Sequence, residues 1–261
     1  MVSKFSYVLA IIFTFVVMIS CKKDTTTIVK SGVDSVEEKV DGTLNIKING
    51  MVDNESFVMY NNYVNDSGQT YRVESIRFYV GDISLYSKGY ENNVLSDVNL
   101  VDLLENHTSS GGQELLSVNV PEGHYDGLSF AIGLDTATNH SDPSIYLSSD
   151  PLSSFQNTHW DWNQGYKFLM VDGKIDSDGD GIPEQSFSYH IGLDDYYKIV
   201  DFSSDTFRIA AGEETDFLVS LNINSLFVGV DVLNDGFTHS TSNFPLVETI
   251  ASNSAEAFYK N

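Results

Sequence analysis

The chain is poor in cysteine and in basic residues. Its 261 residues include one cysteine, and 14 lysines and arginines against 37 aspartates and glutamates, which gives a formal net charge of −23. A single cysteine excludes an intramolecular disulfide framework and a cysteine-rich zinc site. The negative charge repels phosphate backbones, so we expect no nucleic-acid partner. The 16 phenylalanines and 14 tyrosines nevertheless supply a packed core and exclude a disordered acidic chain.

The first segment predicts export. A 13-residue apolar run, Tyr7 to Ile19, follows Lys4 and ends just before Ser20 and Cys21. The run is too short to span a bilayer, which needs roughly 20 residues. A basic start, an apolar run and a small residue at the cut are typical of a signal peptide.

The lone cysteine lies at the first position after that cut. The sequence Ser20-Cys21-Lys22-Lys23-Asp24 resembles the lipobox end of Bacteroidetes-type lipoproteins, in which Cys21 carries the lipid. The alternative is a cleaved secretory signal with an incidental cysteine. We predict a lipoprotein signal peptide at residues 1–20, a lipidated Cys21 with a flexible tether at 21–42, and one domain at 43–261. The mature protein would be anchored to the outer membrane, on its periplasmic or cell-surface face.

From residue 43 the chain has the period of β-strands. Alternating apolar residues predict half-buried strands around Leu44–Ile48, Leu116–Val120, Leu128–Leu134 and Phe217–Ile223. The apolar phase changes at Gly81-Asp82, which predicts a bulge. Leu246, Ile250 and Phe258 have helical spacing. We predict an all-β, antiparallel β-sandwich with a short C-terminal helix.

One acidic stretch has the spacing of a calcium loop. Asp176, Asp178 and Asp180 alternate ahead of Gly181, and Glu184 stands at the ninth position. Alternating carboxylates converge on one cation, and a glycine at the sixth position permits the sharp turn. The twelfth position is Phe187, where an EF-hand has a glutamate, so the stretch is more similar to the aspartate-rich loops of thrombospondin type 3 repeats. The alternatives are a structural calcium site and a solvated acidic hairpin turn.

If Cys21 carries a lipid, a transition-metal site must be built from histidine together with carboxylate, methionine or tryptophan-derived groups. The six histidines are His107, His124, His140, His159, His190 and His239. Neutral imidazole suits copper, zinc, iron and nickel. His190 alternates with Phe187, Tyr189 and Ile191, so we expect it to face away from the core. Taken singly, each histidine is otherwise a surface residue or a satisfied hydrogen-bonding group.

Both tryptophans fall in one tract. Trp160 and Trp162 lie just ahead of the strand predicted at 166–175. Large rings at this place form a core corner, a sugar-stacking platform or part of a metal pocket. Composition alone favours the core corner.

An ordered series of motifs gives the chain a family resemblance over roughly residues 43 to 260. The motifs are Arg77–Leu85, Leu100–Leu103, Val120–Phe130, Ile132–Leu134, Asn139–Pro143, Trp160–Phe168, Tyr189–Gly192, and Ile250–Asn253 with Phe258. This series resembles the MbnP-like family of methanobactin-associated periplasmic copper-binding proteins. The resemblance implies an exported all-β domain that binds copper for uptake or trafficking, without enzymatic turnover.

The resemblance also implies ligands and a partner. The family's Asn-His pair falls on Asn139-His140 and its His-Ile/Leu-Gly motif on His190-Ile191-Gly192, so His140 and His190 are the expected copper ligands. His239 is a weaker third candidate and His159 a weaker fourth. Family members are often encoded with a dihaem peroxidase-like partner, which in some systems oxidises a tryptophan at the copper site to kynurenine. Thr138 precedes the Asn-His pair, so only Trp160 or Trp162 supplies such a residue here.

A second function from another class is a calcium-stabilised, cell-surface glycan-binding module. The paired tryptophans and the acidic stretch suit sugar stacking next to a calcium ion. A hydrolase has no support, since the chain contains neither a Gly-x-Ser-x-Gly elbow nor a His-Glu-x-x-His helix.

Overall fold

The structure is a computed structural model that describes residues 40–88, 90–103, 112–160 and 164–261. The predicted signal peptide, Cys21, nearly all of the predicted tether, His107 and Trp162 lie outside these residues. None of the helices in the described part of the chain is both long and apolar enough to cross a membrane.

Strands dominate the described residues. In chain order they are Asp41–Val52 (β1), Glu55–Ser56 (β2), Asn62–Val64 (β3), Thr70–Ser87 (β4), Tyr90–Asp102 (β5), Gln113–Pro121 (β6), Gly123–Tyr125 (β7), Gly127–Ile132 (β8), Lys167–Ile175 (β9), Gln185–Gly192 (β10), Lys198–Phe202 (β11), Phe207–Ile209 (β12), Glu214–Asn222 (β13), Phe237–Thr238 (β14) and Phe258–Lys260 (β15). The α-helices are Thr136–Asn139 (α1), Ile223–Leu226 (α2) and Phe244–Glu256 (α3). Single 3-10 turns occupy Pro143–Ile145, Ser154–Gln156 and Asp194–Tyr196.

The strands form two large sheets and one small ribbon. A five-stranded sheet has the order β15-β13-β1-β2, with β6 also paired to β1. An eight-stranded sheet, curled like half a barrel, has the order β11-β8-β4-β9-β10-β14, with β3 and β5 also paired to β4. The ribbon consists of β7 and β12. Residues of both large sheets, including Ile46, Phe78, Phe130 and Phe217, share one hydrophobic core.

The prediction of a β-rich fold with a short helix near the C-terminus is confirmed, but the prediction of a purely antiparallel sandwich is wrong. Strands β1 and β13 run parallel, as do β10 and β14. Apolar alternation shows which face of a strand is buried and contains no information about its direction relative to a distant strand. The predicted bulge is confirmed, because the register of β4 against β8 shifts between Gly81 and Ser84.

Two boundaries differ from the prediction. Ile223 begins α2, where the Asn222 side chain accepts a hydrogen bond from the Asn224 amide and caps the helix. Phe258 lies in β15, opposite Leu221, and therefore outside the C-terminal helix. Its burial against the core, which includes ring contacts to Phe78 and Phe130, explains why its spacing mimicked a helical position.

Candidate metal centre

Strand β10 presents two polar side chains on the face opposite the core. Phe187, Tyr189 and Ile191 are buried in the core, whereas Ser188 and His190 point to the other side. The predicted orientation of His190 is therefore found in the structure. Its side chain is nevertheless only 18% exposed, and the His239 ring stacks on it.

Asp172 on β9 connects the polar side chains of this face. It lies opposite Ser188 in the antiparallel register of β9 and β10. The Ser188 hydroxyl donates to Asp172 Oδ1 at 2.6 Å, and His190 Nε2 lies 3.1 and 3.3 Å from the two carboxylate oxygens. Burial raises the pKa of Asp172, but the hydrogen bonds from His190 and Ser188 more than offset that effect, so the pKa lies below its usual range.

This arrangement fixes the tautomer of His190. An ionised carboxylate only accepts hydrogen bonds, so Nε2 carries the hydrogen that it donates to Asp172. The Nδ1 atom of the neutral ring then has a lone pair. Nδ1 is buried and has no hydrogen-bond partner among the described residues. A histidine whose second nitrogen is held by a carboxylate is the usual form of a metal-ligating histidine.

His239 follows β14 and stacks on His190. Strand β14 pairs parallel with β10, and the two imidazole rings lie 4.8 Å apart at 8°. The Phe237 ring also contacts His239, with ring centroids 4.6 Å apart at 38°. Burial lowers the pKa of His239, and His190 and Lys167 lower it further, while Asp172 acts in the opposite sense. The neutral form that binds metals is thus favoured.

Ser240 fastens the end of β14 to β10. Its hydroxyl donates to the His190 carbonyl at 3.0 Å and accepts a hydrogen bond from the Gly192 amide at 2.8 Å. Ser240 has a φ of +61°, so the chain turns sharply there. This turn follows His239 directly and holds it beside His190.

His140 ends the short helix α1. Asp135 caps that helix by accepting hydrogen bonds from the Ala137 and Thr138 amides at 2.8 and 3.2 Å. His140 Nε2 lies 3.2 Å from Asp194 Oδ2, and the His140 side chain is 52% exposed.

The residue before His140 positions its carboxylate partner. Asn139 is fully buried, donates to Asp194 Oδ1 at 2.7 Å and accepts from the Tyr166 amide at 2.7 Å. Burial raises the pKa of Asp194, but the hydrogen bonds from Asn139 and His140 outweigh that effect and hold it below its usual range. Asn139 thus ties the Asn-His pair to the loop that follows β10.

The structure groups the predicted ligands in pairs. His190 and His239 stack beside Asp172, whereas His140 bonds Asp194, two residues beyond the end of β10. His140 also shares a cavity of about 450 Å³ with His159, and its further lining is Ser141, Asp142, Pro143, Trp160 and Gly165. His140 and His190, predicted as one pair, thus hold different carboxylates.

Trp160 packs at the end of β10. Its side chain is 6% exposed, and a Cβ placed on Gly192 would lie 2.5 Å from its ring. This burial agrees with the core corner that composition favours. It leaves little of the Trp160 ring to stack on a sugar.

The acidic loop, Asp176–Glu184, brings three carboxylates together. Ligand oxygens of Asp176, Asp178 and Glu184 all lie within 4.8 Å of one another, and within the described ranges this is the one such group of three possible metal ligands. Asp180 lies outside the group and instead accepts from the Ile182 amide at 2.8 Å. Burial raises the pKa of Asp176, but hydrogen bonds from the Gly181 and Gly179 amides more than offset it and lower the pKa.

Sequence reasoning missed the two carboxylates, Asp172 and Asp194, and also Ser240. The sequence offered one signal, a charged residue, Asp172, inside the strand predicted at 166–175. That signal identifies no partner without the register of β9 against β10, which places Asp172 opposite Ser188, 16 positions away in sequence.

The chain matches a protein-family model and resembles a solved structure. A family model described as MbnP matches residues 41–243. Among solved structures, MbnP from Methylosinus trichosporium matches with 15% sequence identity and a TM-score of 0.55, over 80% of this chain and 87% of that one. At this identity the likeness concerns the fold. No curated protein matches the chain.

Proposed function

The chain belongs to the MbnP family, which is associated with methanobactin and copper, and from this we propose that it binds copper through histidine for uptake or trafficking. Copper is the cargo, and the protein performs no catalytic turnover on it. Imidazole nitrogen suits copper, and Cu²⁺ stands highest in affinity among the divalent first-row metals.

The buried Nδ1 of His190 is the observation that carries the proposal. Leaving a buried polar atom without a hydrogen bond costs about 1–3 kcal/mol, so native structures rarely keep one without a use. Metal ligation would satisfy this atom. The carboxylate of Asp172 would hold the ring in the required tautomer, and the stacked, neutral His239 adds a second nitrogen donor close by.

His140 remains a predicted ligand and is tested in a double variant with His190. Its bond to Asp194 repeats the histidine–carboxylate arrangement, and the cavity that it shares with His159 gives a ligand access from solvent.

Copper uptake by the purified protein tests the proposal. Apo-protein is incubated with excess Cu²⁺, desalted, and its metal content is measured by elemental analysis. We expect about one copper per chain in the wild type, and much less in a His190→Ala, His239→Ala variant and in a His140→Ala, His190→Ala variant.

The matched control is His124→Ala, which removes a histidine from the ribbon of β7 and β12. Its copper content should equal that of the wild type. Absence of copper from the wild type, or unchanged stoichiometry in both double variants, would overturn the proposal.

The cellular setting belongs to the same proposal. We expect a lipid on Cys21, anchorage at the outer membrane, and a dihaem peroxidase-like protein as partner. The resemblances described above support these expectations. Intact-mass analysis of protein from its native host tests the lipid and, in the same spectrum, oxidation of Trp160 or Trp162 to kynurenine.

The acidic loop is proposed as a separate, structural calcium site. The three convergent carboxylates of Asp176, Asp178 and Glu184 favour it. Calorimetric titration with Ca²⁺ should give binding heat that Asp178→Ala removes and Asp180→Ala reduces less, because Asp180 lies outside the group. Equal heats for the wild type and Asp178→Ala would eliminate the site.

A further inference from the structure

The ribbon of β7 and β12 borders a cavity whose lining includes none of the copper candidates. The cavity has a volume of about 450 Å³ and is lined by His124, Tyr125, Asp126, Thr206, Phe207 and Arg208. This size falls within the range of small-molecule sites, roughly 300–1,000 Å³. We call it the Arg208 cavity.

Arg208 differs from the other arginines of this acidic protein. Arg72 lies 2.8 Å from Glu74, and Arg77 lies 3.2 Å from Asp102. No carboxylate among the described residues lies within 4 Å of the Arg208 guanidinium, although acidic residues outnumber basic ones by 23.

His124 lies directly opposite Arg208. The two residues are cross-strand partners in the antiparallel pair of β7 and β12. Two basic side chains at opposed positions repel one another when both are charged, and an anion between them removes that repulsion. Arginine in particular offers a planar fork of donors that matches a carboxylate.

Aromatic side chains pack the ribbon of β7 and β12 against strand β13. Tyr125 and Phe207 stack with centroids 5.7 Å apart at 22°, and Phe207 packs on Phe217 of β13 at 5.2 Å. The Tyr125 hydroxyl donates to the Pro121 carbonyl at 2.6 Å. The ribbon thus holds its polar side chains on a fixed, apolar base.

A second pair of polar side chains lies beyond the first. Asp126 and Thr206 line the same cavity. Asp126 is two residues after His124, and Thr206 is two residues before Arg208. Two residues of extended chain span about 6.6 Å. A ligand that meets both pairs therefore carries an anionic group at one end and hydrogen-bond donors at the other, separated by about the width of a sugar ring.

We propose that the Arg208 cavity binds a sugar acid. Its carboxylate pairs with Arg208 and His124, and its hydroxyl groups donate to Asp126 and bond the Thr206 hydroxyl. A purely anionic ligand such as acetate leaves Asp126 without a donor, and a neutral sugar leaves Arg208 without an acceptor. This site is independent of copper.

Titrations of the full-length protein without copper test the inference, with binding followed by ligand-observed NMR. The probes are galacturonate, galactose, which differs from it at the carboxylate carbon, and acetate. We expect galacturonate to bind at least about tenfold more tightly than galactose or acetate, because a charge-assisted pair adds to the hydroxyl contacts.

Variants assign the effect to the cavity. Arg208→Gln should lower galacturonate affinity about tenfold and abolish the preference over galactose, and Arg208→Lys should retain part of it. The matched control Arg72→Gln, in an arginine that is paired with Glu74 elsewhere, should bind as the wild type does. Equal binding of galacturonate and galactose, equal binding of acetate, or an unaffected Arg208→Gln variant would each overturn the proposal.

Discussion

Two histidines of this chain are each held by an aspartate whose pKa is lowered. Asp172 holds His190 and Asp194 holds His140, and in both cases a further side chain, Ser188 or Asn139, donates to the same carboxylate. The histidine therefore meets a carboxylate that stays ionised and already has its orientation fixed. At the scale of single residues, this is the feature that suits the ring to metal binding.

Replacing Asp172 tests the role of the carboxylate directly. Asp172→Asn keeps the shape of the side chain and removes its charge, so the tautomer of His190 is no longer fixed. Loss of such a partner typically weakens metal affinity about 10- to 100-fold, and we expect a loss in this range for copper. Competition against a chelator of known affinity measures it.

The control for that experiment is Asp216→Asn, which removes a carboxylate bonded to Lys47 and Asn45 on the other sheet. Its copper affinity should be unchanged. If both variants bind copper as the wild type does, Asp172 has no part in the site.

The residues that were predictable are those that a local period specifies. Strand alternation predicted the outward face of His190 without any structural information. His140 came from the family resemblance instead, and its role as a ligand stays a prediction. Asp172 and Ser240 act through pairings between strands, β9 with β10 and β10 with β14, and no local pattern in the sequence contains those registers.

At the scale of elements, the end of β10 fits closely against the loop before β9. A Cβ on Gly192 would lie 2.4 Å from the Tyr166 carbonyl oxygen and 2.5 Å from the Trp160 ring. The Gly192 amide is also held by Ser240. A glycine at this position thus allows β10, the Trp160 corner and the His239 turn to meet.

Substitution of that glycine should destabilise the fold. We expect Gly192→Ala to lower the free energy of unfolding by about 1–3 kcal/mol, since the added methyl must displace backbone or the Trp160 ring. Urea unfolding measures the change. Gly123→Ala is the matched control, because its Cβ would meet the Tyr125 ring at an ordinary 3.8 Å. Equal losses in the two variants would show that the close fit at β10 has no special cost.

The directions of the strands were the part of the fold that could not be predicted. Strands β1 and β13 lie parallel with Ile46 opposite Phe217, 171 residues apart in sequence. Their apolar alternation is the same for either direction, so it supported the strands and their buried faces but not the mixed sheets. Long-range pairing of this kind follows from the packing of the complete core.

Across the whole molecule, carboxyl groups that accept hydrogen bonds in the folded state make stability depend on pH. Hydrogen bonds from Lys47 and Asn45 lower the pKa of Asp216, and the Thr138 side chain does the same for Asp135. Each carboxyl has a folded-state pKa below its unfolded value of about 3.9. The stabilisation is therefore present above about pH 4 and is lost as the pH falls through the folded-state pKa.

Unfolding by urea at pH 7, 5 and 3 tests this dependence. In about 0.15 M salt, where repulsion between charges more than about 8 Å apart is screened, we expect a first loss of stability between pH 7 and 5, because the folded-state pKa of His239 lies below its unfolded value, and a further loss by pH 3 as the hydrogen-bonded carboxylates are protonated. Lys47→Met should reduce the loss of stability between pH 5 and 3, because the folded-state pKa of Asp216 then lies closer to its unfolded value. A free energy that rises from pH 5 to 3 would show that relief of charge repulsion dominates instead.

Electron paramagnetic resonance of the protein loaded with one equivalent of Cu²⁺ shows whether His190 binds the metal. We expect superhyperfine splitting from imidazole nitrogen in the wild type, retained in His124→Ala and diminished or lost in His190→Ala. A wild-type spectrum that shows oxygen ligands alone, or a His190→Ala spectrum identical to the wild type, would contradict this expectation.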